Sequence, residues 1–421
     1  MKRIVVLSDL HLGDPASALE CEPGKEPDLA WFQKGLKELG IEKVDHLVLA
    51  GDVLDFSIGS FTRSYSVARR FFTSLRKLEL VEEIIYIPGN HDKDVWDSVQ
   101  KEVNVFMRLR NGRGPSEFPC EQPGIIDNSE GGDGRLYLPG VDYAKGRKRK
   151  KQYGALYLEG LFPKNEPLPV SVVYPSLYLI LPGGRWMLVT HGHLFELAWV
   201  FITEVFEKVL VHTKDDPPKG GLEWLEECNI PVNSLICTGL GQGGPSTRMI
   251  RRIQTEVKKG KVKKLAKVLN EFLSWADERL DYVFPLEVAQ DIFFNLAERL
   301  ILNEVKKLKP SRGSTRFLKD KKDLIGKFLE ATRLTVGSLK GKSLPDRLEE
   351  YPDCVIFGHT HVPIQAEKPQ TLNVSDSGAA EREIKFLNTG SCLRGESSAM
   401  LLVDEKGNCL SWRKDFASRR E

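Results

Sequence analysis

Six of the eight histidines in this chain fall in four short strings: Ser8-Asp9-Leu10-His11, Gly89-Asn90-His91-Asp92, Thr190-His191-Gly192-His193 and Gly358-His359-Thr360-His361. A fifth string, Gly51-Asp52-Val53-Leu54-Asp55, places carboxylates between the first two. Imidazole clustered with Asp and Asn is the donor set that two divalent cations in one pocket require. In an extended segment residues two apart share a side, so Asp9 and His11 can reach one cation, and His359 and His361 one pocket. Asp52 is the natural bridge, because a carboxylate has two oxygens and can hold two cations about 3.5 to 4 Å apart. Asn90 offers a neutral amide oxygen. The mixed nitrogen and oxygen set suits Mn, Fe, Zn or Co better than Ca or Mg, with Mn placed first, and it lacks the thiolates of structural zinc. Two such cations would bring a shared water toward ionisation at neutral pH and offset charge on phosphoryl oxygens during in-line displacement.

The elements that must position these strings are legible as short apolar runs just before them: Ile4–Leu7, Leu47–Leu49, Ile84–Ile87, Trp186–Val189 and Val355–Phe357. Continuous runs of this kind read as strands buried on both faces. Between the first two, Asp28–Leu39 carries Leu29, Phe32, Leu36 and Leu39 at helical spacing and closes on Gly40; Val67–Leu80 behaves similarly. The alternation predicts an α/β fold with a parallel opening, whose ligands gather at the carboxyl ends of the strands. Tyr174–Ile180 and Arg185–Val189, joined at Pro182-Gly183-Gly184, predict a hairpin that delivers His191. Ile384–Leu387, Ala399–Val403 and Cys409–Trp412 predict a closing β-meander.

From Leu194 to about Glu350 the pattern becomes helical, as in Leu265, Val268, Leu269, Phe272, Ala276, Leu280 and Val283. Residues 246–345 hold 23 Lys plus Arg against 12 Asp plus Glu, a net of +11; with +2 for the whole chain, the remainder carries −9. The predicted organisation is therefore a catalytic core over 1–193, a basic helical insertion or lid over 194–350, and completion of the core over 351–421. The insertion and the run Lys145–Lys151 offer cationic surface for peripheral membrane or nucleic-acid contact, although solvated charge is the ordinary use of such runs. Leu194–Val211 is the most apolar stretch, but Glu196, Glu204, Glu207 and Lys208 interrupt it, so no transmembrane segment is expected. It reads as a core helix or as a lining for a lipid chain. The run at the N-terminus is too short for a signal peptide, and the seven cysteines, odd in number and without a C-x-x-C pair, point to reduced thiols. A cytoplasmic or membrane-peripheral protein is the expectation. Gly239-Leu240-Gly241-Gln242-Gly243-Gly244 matches a dinucleotide fingerprint only in spacing, lacks the surrounding βαβ unit, and reads as a hinge. Asp14, His46 and His212 read as structural.

In this order the strings resemble the calcineurin-like metallophosphoesterase superfamily, over residues 1 to about 100, 185–195 and 353–395. The resemblance implies a four-layer α/β/β/α sandwich, here with a large helical insertion, and a phosphoester hydrolase acting on its phosphoester substrate with two divalent transition-metal ions. It implies one cation held by Asp9, His11, Asp52 and His361, and another held by Asp52, Asn90, His191 and His359. His91 would protonate the leaving oxygen or stabilise the transition state, Asp92 would orient the His91 ring, and Asp55 would support from behind. His193 is read as a supporting or substrate-facing residue. Asn388-Thr389-Gly390-Ser391 would form a tight turn backing the site. The closest similarity is to bacterial UDP-2,3-diacylglucosamine diphosphatases, which implies a lipid-linked or nucleotide-sugar pyrophosphate; here the insertion is longer and GNHD stands where that group has GNRD. DNA-repair nucleases share DxH, GDxxD and GNHD, so a nuclease or phosphodiesterase is the alternative activity. A catalytically silent metal-binding scaffold is the alternative class.

Overall fold

The alternation of a β-strand decides the architecture, because the first apolar run has two faces to bury. In the computed structural model, Ile4 and Val6 of β1 (Ile4–Leu7) enter one core cluster, and Val5 and Leu7 enter another. The structure describes residues 2–21, 25–139, 156–164, 167–195, 221–226, 322–374 and 382–418. Outside these lie the basic run Lys145–Lys151, most of Leu194–Val211, His212, the glycine-rich 239–244, Cys228, Cys237 and the helical patterns between 265 and 305.

β1 pairs parallel with β2 (Val44–Ala50), and β2 parallel with β3 (Val81–Ile87). Helix α1 (Ala30–Glu38) connects the first pair and α2 (Phe61–Lys77) the second. Asp28 Oδ1 accepts the Ala30 N–H at 2.9 Å ahead of α1, and Ser60 caps α2 by accepting from Arg63 N at 3.3 Å. Helix α3 (Asp94–Lys101) follows β3. The first sheet has six strands, β13-β12-β1-β2-β3-β6, with β6 at Val170–Val172, β12 at Ser397–Val403 and β13 at Cys409–Asp415.

The second sheet has seven strands, β10-β11-β9-β8-β7-β4-β5. Its members are β4 (Gly124–Asp127), β5 (Leu136–Tyr137), β7 (Ser176–Ile180), β8 (Trp186–Thr190), β9 (Cys354–Phe357), β10 (Gln370–Val374) and β11 (Arg382–Asn388). The hairpin β7–β8 turns at Pro182–Gly184, where Gly183 takes φ 79°.

Three clusters define the layers. Ile4, Val6, Val48, Ile85, Leu177, Val189, Ile356 and Leu401 meet between the two sheets. Phe32, Leu36, Phe71, Phe72, Val95 and Trp96 from the helices cover the outer face of the first sheet. Ile325, Phe328 and Leu329, from a helix over Lys322–Leu339, pack with Tyr178, Trp186, Val355 and Phe357 on the outer face of the second. This is an α/β fold in four layers, α/β/β/α. The helix Lys322–Leu339 falls within the stretch assigned by sequence to the insertion, yet it serves as a layer of the core.

The closing meander is corrected. β11 runs parallel to β9 in the second sheet, whereas β12 and β13 form an antiparallel pair in the first. The chain therefore crosses between sheets at Asn388–Ser391. Among the described residues no helix is long and apolar enough to cross a membrane.

Phe72 is 1% exposed, packs edge-on against Phe71 and Phe162, and joins α2 to the first sheet. Phe72→Ala should lower the unfolding free energy by about 3–5 kcal/mol. Urea unfolding monitored by circular dichroism measures this, and a loss under about 1 kcal/mol would contradict the packing described.

Candidate metal centre

Each functional string begins where a strand ends: Asp9 after β1, Asp52 after β2, Asn90 after β3, His191 after β8 and His359 after β9. The extended geometry expected for Asp9-Leu10-His11 is not what forms. Asp9, His11, Asp52, His359 and His361 take φ of 51°, 47°, 50°, 63° and 61°, five of the six non-glycine residues with positive φ among the described residues. A left-handed backbone costs such residues on the order of 1 kcal/mol or more and persists only where the surroundings impose it. The imposing contacts are loop-to-loop hydrogen bonds: Asp9 N to Gly51 O at 2.9 Å, His11 N to Asp52 O at 2.9 Å and Leu12 N to Val53 O at 2.8 Å. His359 N donates to both oxygens of Asp9, at 3.1 and 2.9 Å.

The loops pack so closely that glycine is required beside the donors. A Cβ on Gly89 would stand 2.3 Å from Asp52 Oδ1, one on Gly51 2.2 Å from His191 Nδ1, and one on Gly358 2.2 Å from Asp9 Oδ2. The glycines that precede Asp52, Asn90 and His359 thus clear space for other donors.

The side chains converge into three groups, each with its donor atoms within 4.8 Å: Asp9, His11 and His361; His11, Asp52 and His91; Asp52, His191 and His359. Asn90 Oδ1 joins the last at 3.0 Å from His191 Nε2. All seven residues read from sequence as ligands are therefore brought together. His91 enters through the middle group.

Hydrogen bonds on the far side of the rings decide which nitrogens face inward. His11 Nδ1 donates to Asp55 Oδ2 at 3.0 Å, His361 Nδ1 to Glu396 Oε2 at 3.0 Å, and His191 Nδ1 to the Ala50 carbonyl at 3.1 Å. The Nε2 atoms of His11 and His361 are thereby turned toward each other at 3.2 Å. Two imidazole lone pairs repel at that distance unless a proton or a cation lies between them. His359 Nδ1 stands 3.3 Å from His191 Nε2, and Asp9 Oδ1 3.4 Å from His361 Nε2. Metal–ligand bonds of about 2.0–2.1 Å place neighbouring donors about 3.0–3.4 Å apart, so the residues present fit divalent cations.

Electrostatics point the same way. Burial opposes charge on every member, yet the imidazoles and carboxylates hold one another ionised. His191 and His91 keep the Asp52 carboxyl well below its ordinary range, and His361 and His191 depress Asp9. Against the same burial, Asp52 and Asp55 raise His91 to about 10, Asp52 raises His191 to about 9, and Asp9 with Glu396 raises His361 to about 10.

Asp92 does not orient His91, which corrects the role expected for it. Its Oδ2 accepts from Val53 N at 2.8 Å, Leu54 N at 3.2 Å and the Tyr86 hydroxyl at 2.5 Å, and its Oδ1 from Gly89 N at 2.6 Å. It ties the loop after β2 to the loop after β3. The His91 ring is held by Asp55, whose Oδ2 accepts from Nδ1 at 3.1 Å while also bonding His11. The His91 side chain is 25% exposed, against 3% for His11 and 1% for His191, so it stands at the mouth of the site. His193 is buried, with Nε2 3.5 Å from Glu226 Oε1.

The calcineurin-like phosphoesterase family pattern matches residues 2–246, more than half of the sequence. The chain belongs to the calcineurin-like phosphoesterase family. Membership implies metal-dependent phosphoester hydrolysis, and the buried and half-buried His and Asp groups suit divalent cations. No curated protein matches the chain. The match ends before Gly358-His359-Thr360-His361, and β9 brings that string to the same centre from 168 residues beyond His191.

Among the residues that support the centre of this calcineurin-like phosphoesterase, Glu396 carries no sequence signal of its own. Glu396 holds His361 and also takes the Ser391 hydroxyl. Ser8 reaches Asp9 and Thr389. Asn388 Nδ2 donates to the Gly358 carbonyl at 2.7 Å, so the turn at 388–391 backs the site. His46 and Asp14 are structural: His46 Nε2 bonds the Gly134 carbonyl at 2.8 Å, and Asp14 Oδ1 takes the Ala16 N–H at 2.7 Å.

Two outcomes are expected. Gly89→Ala should weaken Mn²⁺ binding about tenfold or more by displacing the Asp52 carboxylate; unchanged affinity by calorimetric titration would contradict the packing. In the metal-free protein, His91, His191 and His361 are raised in the folded state. The stability they contribute is complete below about pH 6.5 and is lost as pH rises through about 9 to 10. Thermal melting in chelator should therefore fall across that window, and a flat profile would contradict the charge assignment.

Proposed function

We propose that this protein is a binuclear metal-dependent hydrolase of phosphodiester or pyrophosphate bonds. One observation carries the reading: Asp52 belongs to two donor groups at once, with His11 and His91 on one side and His191 and His359 on the other. In this reading Asp9, His11, Asp52 and His361 hold one cation, and Asp52, Asn90, His191 and His359 the other. Bound there, the cations would supply positive charge opposite the phosphoryl oxygens and acidify water toward neutrality, Mn being the first candidate and Fe, Zn or Co the others. The core would comprise 1–193 and 351–421, completed by the helix Lys322–Leu339 from within the stretch read as the insertion. A lipid-linked or nucleotide-sugar pyrophosphate would be the substrate class if the motif resemblance to the diphosphatases holds.

The chain's own groups divide the remaining work. Asp52 Oδ1 accepts the His91 backbone N–H at 2.8 Å, which fixes the bridging carboxylate to the loop carrying the acid. Asp55 holds His91 Nδ1, which leaves Nε2, 4.0 Å from Asp52 Oδ2 at the mouth of the site, to carry the proton for the departing oxygen. Without cations, Asp52 and Asp55 beside the ring hold it in the protonated form from which a general acid starts.

Activity on a bis-aryl phosphate should exceed that on the mono-aryl ester. Asp52→Asn should abolish measurable Mn²⁺-dependent turnover. His91→Gln should lower kcat about 10²- to 10⁴-fold while Mn²⁺ affinity stays within about threefold. Wild-type turnover by Asp52→Asn would sink the reading, and loss of Mn²⁺ binding by His91→Gln would move His91 from acid to ligand.

A further inference from the structure

Glu226 is a carboxylate with 0% exposure, supplied by a helical turn at 222–226 that lies in sequence between His191 and His359. The turn is firmly seated: Leu222 N donates to Thr335 Oγ1 at 2.9 Å, and Leu222 and Trp224 are buried. Tyr174 donates its hydroxyl to Glu226 Oε2 at 2.5 Å, and the Tyr174 ring is itself stacked on Trp96 at 5.3 Å and 17°. The other oxygen, Oε1, stands 3.5 Å from His193 Nε2. The His193 ring lies 5.7 Å from the His191 ring at 34°, and 6.4 Å from the His359 ring at 69°. A continuous path thus runs from the Trp96–Tyr174 stack through Glu226 and His193 to two of the rings read as ligands.

A fully buried carboxylate is tolerated only where hydrogen bonds and positive charge compensate it. Among the described residues no Lys or Arg is paired with Glu226. Its surroundings are acidic, since burial, Glu223 and Glu226 push the Glu121 carboxyl up to about 8. Among the described residues, the nitrogen that faces the carboxylate is His193 Nε2.

We infer that Glu226 is a positioning residue for the His191 and His359 side of the metal centre, acting through the His193 ring. Tyr174 fixes the carboxylate, the carboxylate stands at ion-pair distance from His193, and the His193 ring would in turn brace the two rings beside it. The segment bearing Glu226 is thereby keyed to one half of the centre only: His11, His361 and Asp9 lie on the other side and are held by Asp55, Glu396 and Ser8. This inference rests on the binuclear reading above.

The test is a calorimetric titration of Mn²⁺ into the metal-stripped full chain, with Glu226→Gln, Tyr174→Phe and His359→Asn beside the wild type. Wild type should show two binding steps, one of which His359→Asn abolishes. Glu226→Gln should weaken that same step by about tenfold to a hundredfold, leave the other within about twofold, and alter the visible bands of the Co²⁺-loaded protein. Tyr174→Phe should weaken the same step by about threefold or more, and it decides the matter if Glu226→Gln does not fold. Unchanged steps, or equal loss in both together with a lower melting temperature, would overturn the inference. A wild type that binds fewer than two cations would overturn the binuclear reading, and the inference with it.

Discussion

Three buried carboxylates, Asp9, Asp52 and Asp55, stand within one ring of imidazoles, and nearly everything else in this structure follows from keeping them there. Like charges at this spacing in a dry interior repel strongly, and removing each from water costs several kcal/mol more. The compensation is local. His11 and His91 share a single oxygen of Asp55, His191 and His91 flank Asp52, and His361 faces Asp9. A site built this way is over-supplied with lone pairs pointing inward. Protons fill it in the metal-free protein, and divalent cations can displace them, which makes cation binding a proton-releasing step.

The fold supplies the walls that such a site requires. Two sheets stacked face to face bring the carboxyl ends of β1, β2 and β3 opposite those of β8 and β9. Donors far apart in sequence thereby meet without any one strand carrying more than one string. The remaining demand falls on the backbone. Five donor-bearing residues accept a left-handed conformation because adjacent loops hydrogen-bond across one another, and glycines at 51, 89 and 358 keep Cβ atoms out of the space that the carboxylates and rings occupy. Strain and close approach are concentrated where the chemistry is. The strands behind them are regular and apolar.

The legible part of this arrangement was the part with local pattern. Apolar runs before each string marked β1, β2, β3, β8 and β9, because strands buried on both faces have no polar residues to blur them. The donors were visible because His, Asp and Asn recur at short, fixed spacing after those runs. Where contacts are made at long range, sequence proximity misled or stayed silent. Asp92 adjoins His91 in the chain, but the turn into α3 sends its carboxylate back toward Tyr86 and Gly89, and Asp55, 36 residues earlier, takes the ring instead. Glu396 lies 35 residues from the histidine it holds. Glu226 lies in a stretch with no motif at all. The meander misread has the same origin: β11 and β12 are alike in pattern, and only the crossing at Asn388–Ser391 assigns them to different sheets.

Asp52 must serve both halves of one centre, and electron paramagnetic resonance of the Mn²⁺-loaded protein examines that most directly. With two equivalents bound, a shared carboxylate and a separation of about 3.5–4 Å should yield an exchange-coupled pair, with the six-line signal of isolated Mn²⁺ largely lost. A six-line spectrum that simply doubles between one and two equivalents would mean two independent sites, and would contradict the account.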